Sequence, residues 1–257
     1  MDVVHTGWKP SRFGDARLPG VFVTGTGTEV GKTVVAAAIA RTLAAEGGSV
    51  AVFKPVVTGL DDLAADGPIS RDIGVKSSQR PGEADHELLR RAAGSSQSDD
   101  EIAPYRYGPP MAPHLAAELA GEAIDPARLV QTARDAGAAA DALVCEGVGG
   151  LLVPLAPRYL VRDLAAELAL QLVIAASPGL GTINHTLLTL AAARGAGLDV
   201  AAVVLTPWPE RPGRIEESNR ETIATLGEVE VETLERLDLS DPLRWPTLSV
   251  SGSRLID

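Results

Sequence analysis

Cysteine occurs once in 257 residues, at Cys145, which excludes an internal disulfide framework and any metal centre built on several thiolates. Cys145 closes the apolar run Ala142–Cys145, so a buried structural thiol is expected there, not a nucleophile. Aromatic residues supply only 4% of a chain that is 45% hydrophobic. The core must therefore be built from Ala, Val and Leu, which suits parallel strands covered by Ala-rich helices. Basic residues are also scarce, 23 against 34 acidic, for a net charge of −11. That balance argues against nucleic acid or an anionic membrane as partner, and any polyanion must be held by a local site. No run approaches the length of a membrane span. Met1–Gly20 lacks the apolar centre of a secretory signal and reads as a loose extension, so a cytoplasmic protein is expected. Residues 21–257 have the length of one large α/β domain.

What is present is an alternation of strand and helix signals. Val21–Val23 and Ser49–Phe53 read as strands, with the Ala-rich helix Val34–Leu43 between them. Leu60–Gly82 is rich in Gly, Pro, Asp and Ser without periodicity and reads as a mobile loop. Glu83–Ala93 has helical spacing, and Ser95–Pro110 reads as loop. Pro113–Ala120 and Pro126–Ala136 are helices opened by proline, whose missing N–H costs least in the first turn. Strands follow at Ala142–Cys145, Leu172–Ala176 and Val200–Leu205, and helices at Leu160–Ala169, Gly181–Ala193 and Arg214–Leu226. Glu228–Asp257 shows no clear pattern. The order predicts a doubly wound, mostly parallel sheet with helices on both faces. In such sheets the site lies beyond the carboxyl ends of the strands. Thr24, Lys54, Glu146, Ser177 and Thr206 all follow predicted strand ends and can converge there.

The most specific local signal is Val21–Thr33, where a strand feeds a Gly/Thr-rich turn ending in Gly31-Lys32-Thr33 and then a helix. Backbone N–H groups in such a loop and the helix dipole behind it form an anion cradle. Lys32 is placed to reach the β- and γ-phosphates of a nucleoside triphosphate, and the Thr33 hydroxyl to ligate Mg²⁺. The strict G-x-x-x-x-G-K-[ST] pattern would put glycine where this chain has Thr26, so the loop is a P-loop variant flanked by Gly25 and Gly27. Glu146, at a strand end beside Gly147 and Gly149, offers a carboxylate suited to completing a Mg²⁺ shell.

Four segments occur in order: Gly25–Thr33, Lys54-Pro-Val-Val-Thr-Gly59, Glu146-Gly-Val-Gly-Gly-Leu-Leu-Val-Pro154 and Gly179-Leu-Gly-Thr-Ile-Asn-His-Thr186. Together they resemble the dethiobiotin synthetase family, from about Val21 to Arg220. The resemblance implies a P-loop NTPase fold and a cyclo-ligase that uses ATP and Mg²⁺ to form dethiobiotin from 7,8-diaminononanoate and CO₂ (from bicarbonate). The implied route runs through a carbamate and a carbamic–phosphoric mixed anhydride. It implies that Lys54, with Lys32, stabilises the carbamate and the transferred phosphoryl group. Thr58 is implied to hydrogen-bond the substrate, and Thr28 to lie near substrate and transferred phosphate. Thr28, Glu29, Val30, Gly31, Lys32, Thr33 and Val34, with Glu146, Gly147 and Gly149, are implied to surround the nucleotide. A metal-binding aspartate aligns best with Asp85, with Asp72 and Glu83 as alternatives, so the expected metal set is Thr33, Asp85 and Glu146. The Gly181–His185 helix start, with Thr182 and Asn184, is implied to reach the substrate carboxylate from the partner subunit of a homodimer. His185 then has a capping or interface role, while His86 is expected to be exposed.

One position departs from the family pattern. Where the family often carries Asn to read adenine, this chain has Thr206, whose hydroxyl cannot reproduce the paired donor and acceptor of a carboxamide. ATP preference is therefore less firmly implied than triphosphate binding. Two other classes compete with the ligase reading. One comprises other amide-forming P-loop ligases, such as cobyrinic acid a,c-diamide synthase domains, which carry a glutaminase with a nucleophilic cysteine. The second comprises partition-type switch ATPases, which place a second lysine early in the phosphate loop; Gly25–Val30 contains none.

Overall fold

The computed structural model describes residues 18–61 and 83–248. The strands are β1 (Gly20–Gly25), β2 (Val50–Phe53), β3 (Val56–Val57), β4 (Tyr105–Arg106), β5 (Ala142–Glu146), β6 (Pro154–Ala156), β7 (Tyr159–Leu160), β8 (Gln171–Ala176), β9 (Val200–Trp208) and β10 (Glu230–Glu235). Six form a parallel sheet in the order β10-β9-β8-β1-β5-β2, while β3 pairs with β4 and β6 with β7 in two small ribbons. The chain leaves β1, skips a place to β2, returns to β5 beside β1, and then continues on the other side from β8 to β10. Connections thus diverge from β1, and its carboxyl end opens on the crevice where such sheets bind ligands.

Alternation along the strands divides the interior into two layers. Val21 and Val23, Val144, and Val173 face one side, where they meet the Lys32–Ala45 helix and Leu88 and Leu89 of the Asp85–Ala93 helix. Phe22, Leu143 and Cys145, Leu172 and Ile174 face the opposite layer with Leu129, Leu164, Leu190 and Ile223. These come from the helices Pro126–Ala138, Val161–Leu168, Thr182–Gly195 and Arg214–Gly227. Both sheet faces are covered, so the strands read as near-continuous apolar runs. Ala36, Ala37, Ala38 and Ala40 are fully buried, and their small side chains let the first helix lie between the sheet and the Asp85–Ala93 helix.

Three sequence expectations change. Glu228–Asp257, read as irregular, contains β10, which pairs in parallel with β9. Its Glu-Val-Glu-Thr-Leu-Glu sequence, with Val231 and Leu234 buried and Glu230 and Glu235 exposed, is a half-buried edge pattern whose charges discourage pairing with another chain. Ser95–Pro110, read as loop, holds a short helix at Asp99–Ile102 and the strand β4. Elements of four and two residues are too short to show a period. The first strand also begins at Gly20, inside the segment read as an extension. Residues 1–17, 62–82 and 249–257 lie outside the described residues, and with them most of the expected loop at 60–82. Among the described residues, no helix is long and apolar enough to cross a membrane.

Cys145 is fully buried in β5, and burial pushes its thiol well above the usual range. Titration of the folded chain with a chromogenic thiol reagent should therefore find no reactive thiol, with one appearing on unfolding. Rapid labelling in native buffer would contradict this packing.

Candidate active site

The phosphate loop hangs between two strands. Thr26 N–H, just beyond β1, donates to the Ala175 carbonyl of β8 at 3.0 Å, which fixes where the loop leaves the sheet. Gly31 caps the Lys32–Ala45 helix in the left-handed region, at φ 88°. A Cβ there would lie 2.6 Å from Cγ2 of Thr206, so both the backbone angle and the space require glycine. The helix start has neither a side-chain cap nor an acidic residue in its first turn. Its N-terminal N–H groups and dipole are thus left for an anion. Lys32 folds back across the loop, and its Nζ donates to the Gly27 carbonyl at 2.7 Å. Burial lowers its pKa to about 8, against the opposing attraction of Glu146. Thr28 and Glu29 are exposed, Glu29 at φ 58°, and Val30 and Val34 pack partly buried against the core.

Beside the loop, four side chains from four segments meet. Thr33 Oγ1 donates to Asp85 Oδ1 at 3.1 Å or to Glu146 Oε1 at 2.8 Å. Lys54 Nζ donates to Glu146 Oε1 at 2.7 Å and also to Asp85 Oδ2. Lys54 is 4% exposed and Glu146 0%. Burial alone would lower the Lys54 pKa, but Asp85 and Glu146 outweigh it and hold the ammonium above its ordinary value. Burial pushes the Glu146 carboxyl up, while Lys54 opposes that shift. Glu146 Oε2 is buried with no hydrogen-bond partner.

The structure therefore gathers Thr33, Lys54, Asp85 and Glu146, with Lys32 close enough to feel Glu146. Of the alternatives to Asp85, Glu83 turns away to pair with Arg91 at 2.9 Å, and Asp72 lies outside the described residues. Gly147 N–H donates to the Val23 carbonyl at 2.8 Å. A Cβ on Gly149, which adopts φ 60°, would come 3.8 Å from Thr28 Cγ2, so this glycine turn lies against the phosphate loop. Thr206 is 3% exposed with its methyl toward Gly31, which makes it a packing partner of the loop. Thr58 is half-buried just after β3. Thr182 is buried and Asn184 exposed in the first turn after β8, and His185 is exposed. His86 is 4% exposed, not exposed as expected. It faces Asp99 at 3.7 Å, in the segment whose short helix was read as loop.

Two features escape the sequence reading. The first is the brace around Lys54, whose backbone N–H donates to the Ile102 carbonyl at 2.8 Å, while β4 pairs with β3 just beyond it. The second is a cleft of about 360 Å³ at the carboxyl ends of β9 and β10, lined by Pro207, Trp208, Pro209, Glu210, Glu235 and Arg236. Its wall begins at Pro207, the residue after Thr206, whose methyl lies against Gly31. Recognising β10 from its alternating glutamates would have located it.

Gly31→Ala adds a left-handed strain of roughly 1–2 kcal/mol to the steric conflict with Thr206. Triphosphate affinity should fall about tenfold or more, and Thr206→Ser should restore only part of it. Unchanged affinity in a titration with a fluorescent triphosphate would contradict this geometry.

Comparison with known proteins shows the family. A family model described as an AAA domain matches residues 19–245. The ATP-dependent dethiobiotin synthetase BioD of Anaeromyxobacter dehalogenans is 43% identical, over 73% of this chain and 76% of its own length. The enzyme of the same name from Rhodococcus erythropolis is 39% identical over 80% of this chain and 83% of its own. That from Bacillus velezensis is 33% identical over 82% and 83%. With relatives at 33% to 43% identity over 73% to 82% of its length, the chain belongs to the ATP-dependent dethiobiotin synthetase family.

Proposed function

We propose that this crevice closes the ureido ring of dethiobiotin from 7,8-diaminononanoate and CO₂ with cleavage of ATP to ADP and phosphate. The observation that carries the reading is the buried meeting of Lys54 with Thr33, Asp85 and Glu146 directly beside Lys32. Phosphoryl transfer to a carbamate gathers negative charge on several oxygens, and preorganised cations in a dry site lower that barrier. Lys32 and the loop N–H groups hold the phosphates. Lys54 swings its ammonium to the carbamate oxygens and the transferred phosphoryl group. The carbamate oxygen forms the new O–P bond as ADP leaves, and the second amine then attacks the carbamoyl carbon and expels phosphate. Thr58, half-buried just after β3, orients the diamine in this reading.

The donor set suits Mg²⁺. Glu146 presents a buried oxygen without a partner, and Thr33 and Asp85 add hard oxygen donors on the same spot. Among the described residues, no three His, Cys, Asp or Glu side chains gather as a self-sufficient metal cluster. A site of this kind relies on one or two carboxylates plus phosphate oxygens, which is the Mg²⁺ habit. Bound Mg²⁺ supplies charge that neutralises the β- and γ-phosphates.

The first turn of Thr182–Gly195 carries Thr182 and Asn184 and has no side-chain cap or acidic residue. Leu180 and Leu188 stand exposed beside it, at 101% and 61%. A homodimer would cover these leucines and bring that helix start to the partner's substrate carboxylate. The nucleotide base belongs in the cleft at β9 and β10, so base preference is set by its walls more than by buried Thr206.

The test is phosphate release from ATP with Mg²⁺ and bicarbonate, with and without 7,8-diaminononanoate, and with dethiobiotin followed by mass. Release coupled to product is expected. Triphosphate binding without amine-dependent turnover would move the reading to a switch ATPase. Lys54→Ala should abolish turnover and keep triphosphate binding, at a stability cost of about 3–5 kcal/mol for removing the ammonium from between two carboxylates. Loss of binding in a variant that remains folded would give Lys54 a binding role instead.

A further inference from the structure

We propose that Arg91 is a positioning residue that holds the Asp85 carboxylate in the active centre by clamping the chain where it enters the Asp85–Ala93 helix. The proposal rests on reading Thr33, Asp85 and Glu146 as the metal and phosphate site. Asp85 is the first residue of its helix, so the turn before it sets the backbone from which its carboxylate reaches Thr33 and Lys54. The N-cap, Ala84, has no side chain to cap with, and Glu87 Oε2 accepts from Ala84 N–H at 2.8 Å. That bond shapes the turn but ties it to nothing else in the protein.

Arg91 supplies the tie. Its Nε donates to Glu83 Oε1 and its Nη2 to Glu83 Oε2, both at 2.9 Å, a two-pronged grip on the residue two before Asp85. The same Nη2 donates to the Leu239 carbonyl at 2.8 Å. Leu239 is 6% exposed and packs in one cluster with Leu88, Leu89 and Ile39. Its segment is fastened in turn, with Trp245 Nε1 donating to the Asp238 carbonyl at 2.7 Å and Leu248 N–H donating to Thr42 Oγ1 at 2.9 Å. Thr42 lies on the helix whose first turn carries Lys32 and Thr33. One guanidinium therefore links the entry to Asp85 with the helix that presents the other half of the site. The side chains are partly shielded, 28% exposed for Arg91 and 12% for Glu83. The planar fork matters, because a lysine ammonium cannot grip both carboxylate oxygens and a carbonyl in one plane. The neighbouring Arg90 pairs with Asp99 and leaves this task to Arg91.

The test follows binding of a fluorescent ATP analogue to the full chain as Mg²⁺ is titrated. The variants are Arg91→Ala, Arg91→Lys, Glu83→Gln, Asp85→Asn and the double variant Arg91→Ala/Asp85→Asn. Arg91→Ala and Glu83→Gln should each raise the half-saturating Mg²⁺ about tenfold, the scale for partners that orient metal ligands. Binding of the analogue in EDTA should not change, and Arg91→Lys should recover only part of the loss. In the Asp85→Asn background, removing Arg91 should add nothing, because its effect passes through Asp85. Multiplying losses in the double variant, or an equal loss of binding in EDTA, would overturn the proposal and make Arg91 a general stabiliser. Should Arg91→Ala not fold, Glu83→Gln alone and combined with Asp85→Asn gives the same comparison. Mg²⁺-independent binding by the unaltered chain would instead refute the metal reading on which the proposal stands.

Discussion

An ammonium group taken almost wholly out of water is tolerable only with anions in hydrogen-bond reach, and Lys54 has two. Withdrawing such ions from water carries a penalty of several kcal/mol each, recovered only when the geometry is right. Three separate pieces of the chain must therefore arrive together: the end of β2 with Lys54, the end of β5 with Glu146, and the start of the Asp85–Ala93 helix. Thr33 adds a fourth, from the first turn after the phosphate loop. Much of the architecture serves this meeting. The sheet order sets β5 between β1 and β2, so the loop after β1 and the ends of β5 and β2 open on one side. The short helix at Asp99–Ile102 and the β3–β4 ribbon hold the backbone of Lys54 and the chain just after it.

The same centre explains how an acidic protein binds a polyanion. A net charge of −11 offers no general attraction for triphosphate. The cations that matter are local, buried and few. Lys54 pairs with Glu146, Lys32 lies within reach of its charge, and an uncapped helix start adds its dipole. In such a setting each charge acts through low dielectric: burial lowers the Lys32 pKa against the pull of Glu146, while Asp85 and Glu146 together hold that of Lys54 up. Attraction is confined to the crevice, and the rest of the surface repels competing polyanions.

The division between what the sequence announces and what it conceals follows element size and solvent exposure. The β1–loop–helix unit is legible because strand, glycines, Lys32 and Thr33 are contiguous and each has a local reason. Glu146 is legible because a charged residue ending an apolar run has few other purposes. Asp85 could be narrowed only to a neighbourhood, since its proximity to Thr33 depends on how the Asp85–Ala93 helix packs on the first helix. Residues 99–106 escaped because their elements make sense only against Lys54 and β3. His86 differs for a related reason, since it lies buried facing Asp99 of a segment that reads as loop. β10 was hidden by its glutamates, whose alternation marks an edge strand but whose charge reads as irregular chain. The cleft at β9 and β10 was lost with it.

The most direct test of the central claim, that metal, phosphates and Lys54 meet in this one place, is a crystal structure of the chain with Mn²⁺ and a non-hydrolysable ATP analogue, with the metal located by anomalous scattering. The account predicts the metal at Thr33, Asp85 and Glu146, with Lys54 released from the two carboxylates toward the γ-phosphate. A metal bound elsewhere, with Lys54 still paired to Asp85 and Glu146 beside a bound triphosphate, would contradict it.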